Sequence, residues 1–350
     1  MSNFPLVSII IPCYNHEQFV RDSIQSVIDQ TYQNIELIII DDGSKDSSVE
    51  IIEKMLPACE QRFVRFEFRN RPNKGLSATL NESIAWSKGK YFAALASDDI
   101  ILKNKINLQV KYMEENPKTT AVFGSANYID ENNNIKKLDK LKQQEYAFDK
   151  IFLNECQFYA PTQLMRKSTL DEVGGYNPDI LVEDWYMWLK MAEKGSVYCL
   201  SDTFANYRIH SNNTTKNSKF IYDNNMKTLS FYKGHNLYDK AYSKLRWTYI
   251  VWTGQQNKAL SFKLLLEYII ENPSVIFNRG FLVYCKYFFV KMKDYAFFVP
   301  LNAAEKRNAI GGDAVKTIRE LSGGIFFEKK IKINNTRYQH YEISAKLLYL

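Results

Sequence analysis

The chain predicts an α/β fold, a mainly parallel sheet flanked by helices, followed by a helical C-terminal extension. Three observations point there. Two apolar runs, Ile35–Ser44 (IELIIIDDGS) and Tyr91–Asp99 (YFAALASDD), each contain or end in adjacent carboxylates. Continuous apolar segments of this length have the pattern of strands buried on both faces. Strand and helix periodicities alternate through the first hundred residues, which is the signature of a layered α/β sheet. The last third is helical in pattern and rich in aromatics.

Taken in order, Val7–Ile11 reads as a strand, and Glu17–Gln30 carries Phe19, Val20, Ile24, Val27 and Ile28 at helical spacing. Ile35–Ile40 is the next strand, and Asp46–Met55 a helix with Ser or Asp near its N-cap. Phe63–Phe68 alternates like a more exposed strand, Leu76–Ser87 is a helix closed by Gly89, and Tyr91–Leu95 is a strand. Beyond Asp99 the pattern loosens. Lys105–Glu115 is helical, Thr120–Ile129 strand-like, and Asp130–Lys142 a polar loop. Glu183–Lys194 sets Trp185, Trp188, Leu189 and Ala192 on one helical face, and strand-like Val197–Leu200 and Phe204–His210 follow. From about Asn224 onward the pattern is helical. Two regions are expected: 1–220, the α/β body, and 221–350, a helical, basic, aromatic-rich region.

Composition bounds the function loosely. The 350 residues allow one large domain or two, and aromatics reach 14%. Five scattered cysteines without a CxxC pair argue for reduced thiols in a cytosolic setting, with neither a disulfide framework nor a zinc site. The N-terminus lacks the basic and apolar regions of a signal peptide. No stretch of about 18 uncharged apolar residues predicts a spanning helix. Charge is uneven: residues 1–256 hold 31 Lys+Arg against 31 Asp+Glu, and residues 257–350 hold 15 against 8, which accounts for the net +7. A basic appendage on a neutral body is attracted to anionic surfaces.

Chemistry gathers at the carboxyl ends of the predicted strands, where open α/β sheets bind ligands. Pro12-Cys13-Tyr14-Asn15 offers an aromatic ring for a nucleobase, or is an ordinary strand-to-helix turn. Asp41-Asp42-Gly43-Ser44 offers a carboxylate to a base N–H or ribose hydroxyl, or is an Asx turn. Lys74-Gly75 precedes a helix, a setting that suits phosphate. Ser97-Asp98-Asp99 places two neighbouring carboxylates that repel unless a cation compensates; Mg²⁺ or Mn²⁺ shared with substrate phosphates is the natural partner. Val173-Gly174-Gly175-Tyr176 precedes a helix opening with Glu183-Asp184, which reads either as a flexible loop beside a carboxylate base or as a plain acidic N-terminus. Tyr207-Arg208-Ile209-His210-Ser211-Asn212-Asn213 adds an imidazole and several amides.

In this order the pieces PCYN, IELIIIDDGSKD, NKGLSATLNESIAWSKGKYFAALASDD, VGGYNPDILVEDWYMWLK and YRIHSNN closely resemble the family 2 glycosyltransferases of GT-A fold. The likeness runs from about Val7 to Asn213, roughly sixty per cent of the chain. It implies that Pro12, Tyr14, Asn15 and Asp42 cradle the base and ribose of a UDP-sugar, that Lys74, Gly75 and Ser97 approach the donor, and that Asp98 and Asp99 form the metal motif. In that motif the last aspartate holds Mn²⁺ or Mg²⁺ on the diphosphate, with His210 as an added contact. The resemblance makes Asp184 the base that deprotonates the acceptor hydroxyl in an inverting transfer. One departure stands out. The family's fuller metal motif often begins with an acid two residues before the Asp pair, where this chain has Ala96.

The implied partners are a nucleotide-sugar donor and a glycan or polyprenyl-diphosphate-linked acceptor of capsule or O-antigen assembly. The segment Ser274–Pro300 interleaves aromatic and aliphatic residues with Arg279, Lys286, Lys291 and Lys293. Such a mixture suits an anionic membrane surface, giving a cytoplasmic protein peripheral on the inner face of the cell membrane, or else a helical subdomain or homodimer interface. Other readings are a non-catalytic sugar-nucleotide-binding scaffold and a nucleotidyltransferase, though the latter's Gly-rich basic loop is missing after the first strand. Nucleic-acid binding has no motif behind it.

Overall fold

The structure, a computed structural model, describes residues 4–211, 213–277 and 279–289. Two compact units divide the chain, Met1–Tyr249 and Ile250–Leu350.

Ten strands build one sheet in the first unit: β1 (Val7–Cys13), β2 (Ile35–Asp41), β3 (Arg65–Asn70), β4 (Tyr91–Ala94), β5 (Ile100–Ile101), β6 (Thr119–Ile129), β7 (Ile135–Asp139), β8 (Gln144–Tyr146), β9 (Leu164–Arg166) and β10 (Ser196–Arg208). Their order is β3-β2-β1-β4-β9-β6-β10-β5, with β7 on β6 and β8 on β10. The half β3-β2-β1-β4 is parallel throughout. β1 and β2 are buried at nearly every position, as their unbroken apolar sequence requires. Helices Val20–Ile28 and Leu76–Trp86 cover opposite faces, closing two apolar cores, one around Ile9, Ile24 and Leu37, the other around Ile10, Leu80 and Phe92.

The other half is mixed. β9 runs antiparallel to both β4 and β6, and β10 lies parallel to β6. The two short strands expected near the end of the α/β body are a single strand, β10, with register irregularities at Cys199–Ala205 where its burial lapses. The expected polar loop Asp130–Lys142 contains β7, which folds back on β6 as a hairpin. Nearly every residue of β7 is exposed, so no apolar alternation announces it; backbone pairing alone makes it a strand. Helix Ser218–Ser230 belongs to the first unit: Leu229 is in the second apolar core, and Asn224 Oδ1 accepts the Leu181 N–H at 2.9 Å.

In the second unit, helices Lys258–Glu271 and Arg279–Phe289 meet around Ser261, whose buried hydroxyl lies 2.7 Å from the Ile250 carbonyl and 2.6 Å from the Tyr284 hydroxyl. Ile270, Phe277 and Leu282 are exposed. Among the described residues no helix is long and apolar enough to cross a membrane. The expectation for Ser274–Pro300 falls partly, and that for 301–350 wholly, outside the described residues.

Candidate active site

The carboxyl ends of β1, β2 and β4 lie side by side, and the loops leaving them are stitched together by side chains. After β1 the chain turns through Asn15, whose φ of 54° lies in the left-handed region that asparagine tolerates better than most residues. Asn15 N–H donates to Ser44 Oγ at 2.8 Å, and Asn15 Oδ1 accepts the Lys45 N–H at 2.8 Å. His16 N–H donates to Ser48 Oγ at 2.9 Å. Pro12 is partly buried near the end of β1, buried Cys13 ends the strand, and Tyr14 stands exposed on this platform.

Asp42 is buried at the end of β2. Its Oδ1 accepts the Lys74 N–H at 2.8 Å and a hydrogen bond from Arg71 Nη1; Oδ2 accepts the Gly75 N–H at 2.9 Å. Arg71 is held in turn by Glu82 Oε2 at 2.8 Å and Thr79 Oγ1 at 2.9 Å. Gly75, at φ 87°, bends this loop into helix Leu76–Trp86 where a side chain would be strained. In this structure, then, the Asp42 carboxylate braces the Lys74–Gly75 loop, while the Lys74 ammonium extends into solvent about 4.0 Å from Glu82.

The turn after β4 separates its two aspartates. Asp98 faces two imidazoles: His210 Nε2 donates to Asp98 Oδ2 at 2.9 Å, and one ligand atom from each of His16, Asp98 and His210 lies within 4.8 Å of the others. Asp99 is not a member of that group. It is buried, with Oδ1 accepting the Arg208 N–H from β10 at 2.8 Å. Ser97 is buried and hydrogen-bonded to His16 Nδ1 at 2.7 Å. Arg208 is fully buried despite its charge. Its guanidinium bonds the Asp98 carbonyl at 2.7 Å and the Asp130 and Glu131 carbonyls at 3.1 and 3.2 Å, and reaches Asp22 at 3.4 Å. These bonds tie the β4 turn, the β6–β7 hairpin and helix Val20–Ile28 to one cation.

The electrostatics of the two aspartates diverge. Burial works to raise the pKa of Asp98, but the hydrogen bond from His210 and the nearby imidazole of His16 outweigh it, and the net shift is downward. Burial lowers that of His16, against the pull of Asp98. Asp99 is pushed well up, first by burial and then by the charge of Asp98, with Asp184 adding to it.

Two further carboxylates, Glu183 and Asp184, open helix Glu183–Lys194. Burial pushes Asp184 up to about 6, and burial with the Asp184 charge raises Glu183 well above the usual carboxylate range. The loop before them is anchored to helix Leu76–Trp86: Asn81 Nδ2 donates to the Tyr176 carbonyl and Asn81 Oδ1 accepts the Tyr176 N–H, both at 2.7 Å, while Ser77 Oγ donates to the Ile180 carbonyl at 2.8 Å. Gly174 and Gly175 have φ of 80° and 75°, and a Cβ on Gly175 would come 2.5 Å from Asn81 Oδ1. The glycine pair therefore fixes the path of this loop.

Of the residues singled out in the sequence, the structure joins Asp98 and His210 directly, links Ser97 to them through His16, and brings Asp184 within electrostatic reach of Asp99. Asp42, Lys74 and Gly75 form one braced loop, and Tyr14 and Asn15 form another. His16, Arg71, Asn81 and Arg208 were not singled out. The sequence hint was position: His16 follows PCYN, while Asn81 and Arg208 fall inside the stretches NKGLSATLNESIAWSKGKYFAALASDD and YRIHSNN. A divalent cation fits the His16–Asp98–His210 group, because imidazole nitrogen and carboxylate oxygen are both donors to first-row ions.

The family model described as Glycosyl transferase family 2 matches residues 8–174. Over 230 residues the chain is 31% identical to an uncharacterized glycosyltransferase of Haemophilus influenzae, covering 61% of this chain and 69% of that protein. It is 32% identical over 238 residues to one from Rickettsia bellii, of which it spans only 33%, with 66% of this chain covered. Two solved structures share the architecture. S. aureus TarS 1-349 in complex with UDP-GlcNAc matches with a TM-score of 0.52 at 17% identity, over 79% of this chain and 75% of that one. Mannosyltransferase PcManGT from Pyrobaculum calidifontis in complex with GDP-Man and Mn²⁺ matches with a TM-score of 0.57 at 11% identity, over 81% and 80%. At such identities these two likenesses establish the fold, which is GT-A, and nothing about substrate.

Proposed function

Because the chain belongs to glycosyltransferase family 2, we propose that it is an inverting, metal-dependent transferase. It moves a sugar from a nucleotide-diphosphate donor, UDP-linked in the first instance, to a glycan or polyprenyl-diphosphate-linked saccharide in surface polysaccharide synthesis. The carrying observation is the convergence of two unlike carboxylate groups: Asp98 with its imidazoles, and Asp184 close enough to raise the pKa of Asp99. Asp98 and His210 would hold a divalent ion, with Asp99 behind them. When bound, that ion neutralises charge on the departing nucleotide as a Lewis acid. Tyr14 offers its exposed ring to the base, and the braced Lys74–Gly75 loop lies on the same side. Asp184, ionised above pH 6 or so, takes the proton of the attacking hydroxyl. The asparagine clamp on Tyr176 positions the loop that leads into the helix carrying that carboxylate.

The test is hydrolysis and transfer from a panel of UDP-, GDP- and dTDP-sugars with Mn²⁺, for wild type, Asp98→Asn and Asp184→Asn. Release of nucleotide from one donor, abolished by EDTA and by both substitutions, supports the reading. Unchanged release in both variants sinks the site assignment, and nucleotide binding without turnover would favour a scaffold. For the second unit we propose peripheral attachment to an anionic membrane, supported by the exposed Ile270, Phe277 and Leu282 and by the basic excess of residues 257–350. Flotation with anionic liposomes should be lost in a chain ending at Tyr249, where the first unit ends; equal flotation removes the role.

A further inference from the structure

His16 has no part in the sequence resemblance, yet the fold places it in the site with unusual care. The left-handed turn at Asn15 redirects the chain after β1, and Ser48 Oγ fixes the His16 backbone at 2.9 Å. Ser97, from the turn after β4, fixes the ring through Nδ1 at 2.7 Å. The ring stands edge-on to His210, centroids 5.8 Å apart, with Phe19 packing against both imidazoles at 6.1 and 5.0 Å. Among the described residues the second ring nitrogen of His16 has no hydrogen-bond partner. A metal-ligating histidine has this arrangement: one nitrogen held by an outer partner that sets ring orientation and tautomer, the other left for the ion.

We propose that His16 is a third protein ligand, so that the ion is held by two imidazoles and the Asp98 carboxylate, and that the site selects Mn²⁺ and later first-row ions over Mg²⁺. The proposal rests on the metal-dependent reading above. Its chemical basis is the donor set. Mg²⁺ is held through oxygen ligands and retains several waters, whereas imidazole nitrogen suits transition ions, increasingly so along the first row. Ser97 becomes the residue that orients this ligand, and Asp99 remains behind Asp98 with its oxygen on the Arg208 amide. Binding replaces the proton between His210 Nε2 and Asp98 Oδ2 with the cation.

The experiment uses the full chain with Mn²⁺ alone, read by pulsed EPR and by titration calorimetry against Mg²⁺. Wild type should show electron–nuclear coupling to two imidazole nitrogens, and His16→Gln to one. His16→Gln should also lose about tenfold or more in Mn²⁺ affinity while Mg²⁺ affinity holds, so the preference narrows by that factor. Asp98→Asn should weaken both ions. The wild-type spectrum needs no substitution, so a variant that folds poorly leaves the test intact. A single nitrogen coupling in wild type, or Mn²⁺ affinity unchanged in His16→Gln while Asp98→Asn loses it, overturns the role of His16 and leaves the metal site standing. No Mn²⁺ binding to wild type would overturn the metal-dependent reading itself, and this inference with it.

Discussion

Asp98 and Asp184 are both aspartates at the carboxyl edge of one sheet, and their surroundings push them in opposite directions. Asp98 sits among imidazoles and is kept ionised, ready for a cation. Asp184 has only burial acting on it, and shares its helix N-terminus with Glu183, which burial and the Asp184 charge also raise. It is thus a carboxylate with appreciable appetite for a proton near neutral pH. Two identical side chains acquire two roles from what lies within a few ångströms, and pushing titratable groups apart in this way is how acid and base tasks are divided within one site.

The largest effect expected from breaking this contrast is at the base. Asp184→Asn keeps size and polarity but cannot accept the proton, and should lower kcat by about 10²–10⁴-fold with donor binding, measured by calorimetry, little changed. An intact kcat would move the base elsewhere. Next in size is the pH profile. With Asp184 raised to about 6, kcat/KM should fall about tenfold per unit as pH drops below that value, because only the ionised form can act. The limb should stay in place in Glu183→Gln, because burial alone raises Asp184; a limb that moved would show that the two acids titrate as a pair.

The smallest effect is on stability, and there the sign is the informative part. Asp98 has a folded-state pKa below its unfolded value, so its ionised form adds stability above the unfolded pKa, lost as pH falls through the folded one. Asp99 is raised, so it favours the fold only while protonated and costs stability as pH climbs from the unfolded pKa through the folded one. In EDTA at pH 7, thermal unfolding should therefore come earlier for Asp98→Asn and later for Asp99→Asn, whose amide oxygen can still accept the Arg208 N–H. The Asp99→Asn difference should fade as pH falls toward the ordinary carboxylate range, whereas the Asp98→Asn difference should fade only below that range. Shifts of the same sign would contradict the division between the two aspartates.

Much of this molecule is legible in its residues. Unbroken apolar runs specify β1, β2 and β4, because a strand buried on both faces leaves no room for polar alternation. The helices Lys105–Glu115 and Glu183–Lys194 begin and end where their periodicity does. The order of motifs singles out Asp98 after β4, Asp184 in the first turn of helix Glu183–Lys194 and His210 after β10. Other features depend on partners far along the chain. β7 and β9 are strands only because β6 and β4 offer backbone to pair with, and their own residues carry little pattern. Which of two adjacent aspartates faces the imidazoles is decided by the turn after β4 and by an amide of β10 more than a hundred residues away. The entry of His16 beside His210 depends on a left-handed turn and on hydroxyls from the start of helix Ser48–Glu53 and from the turn after β4. Sequence determined which chemical groups stand at the edge of the sheet, since periodicity and local turn chemistry act over a few residues. Tertiary structure decided which of them meet, since contacts between distant segments exist only once the sheet has assembled.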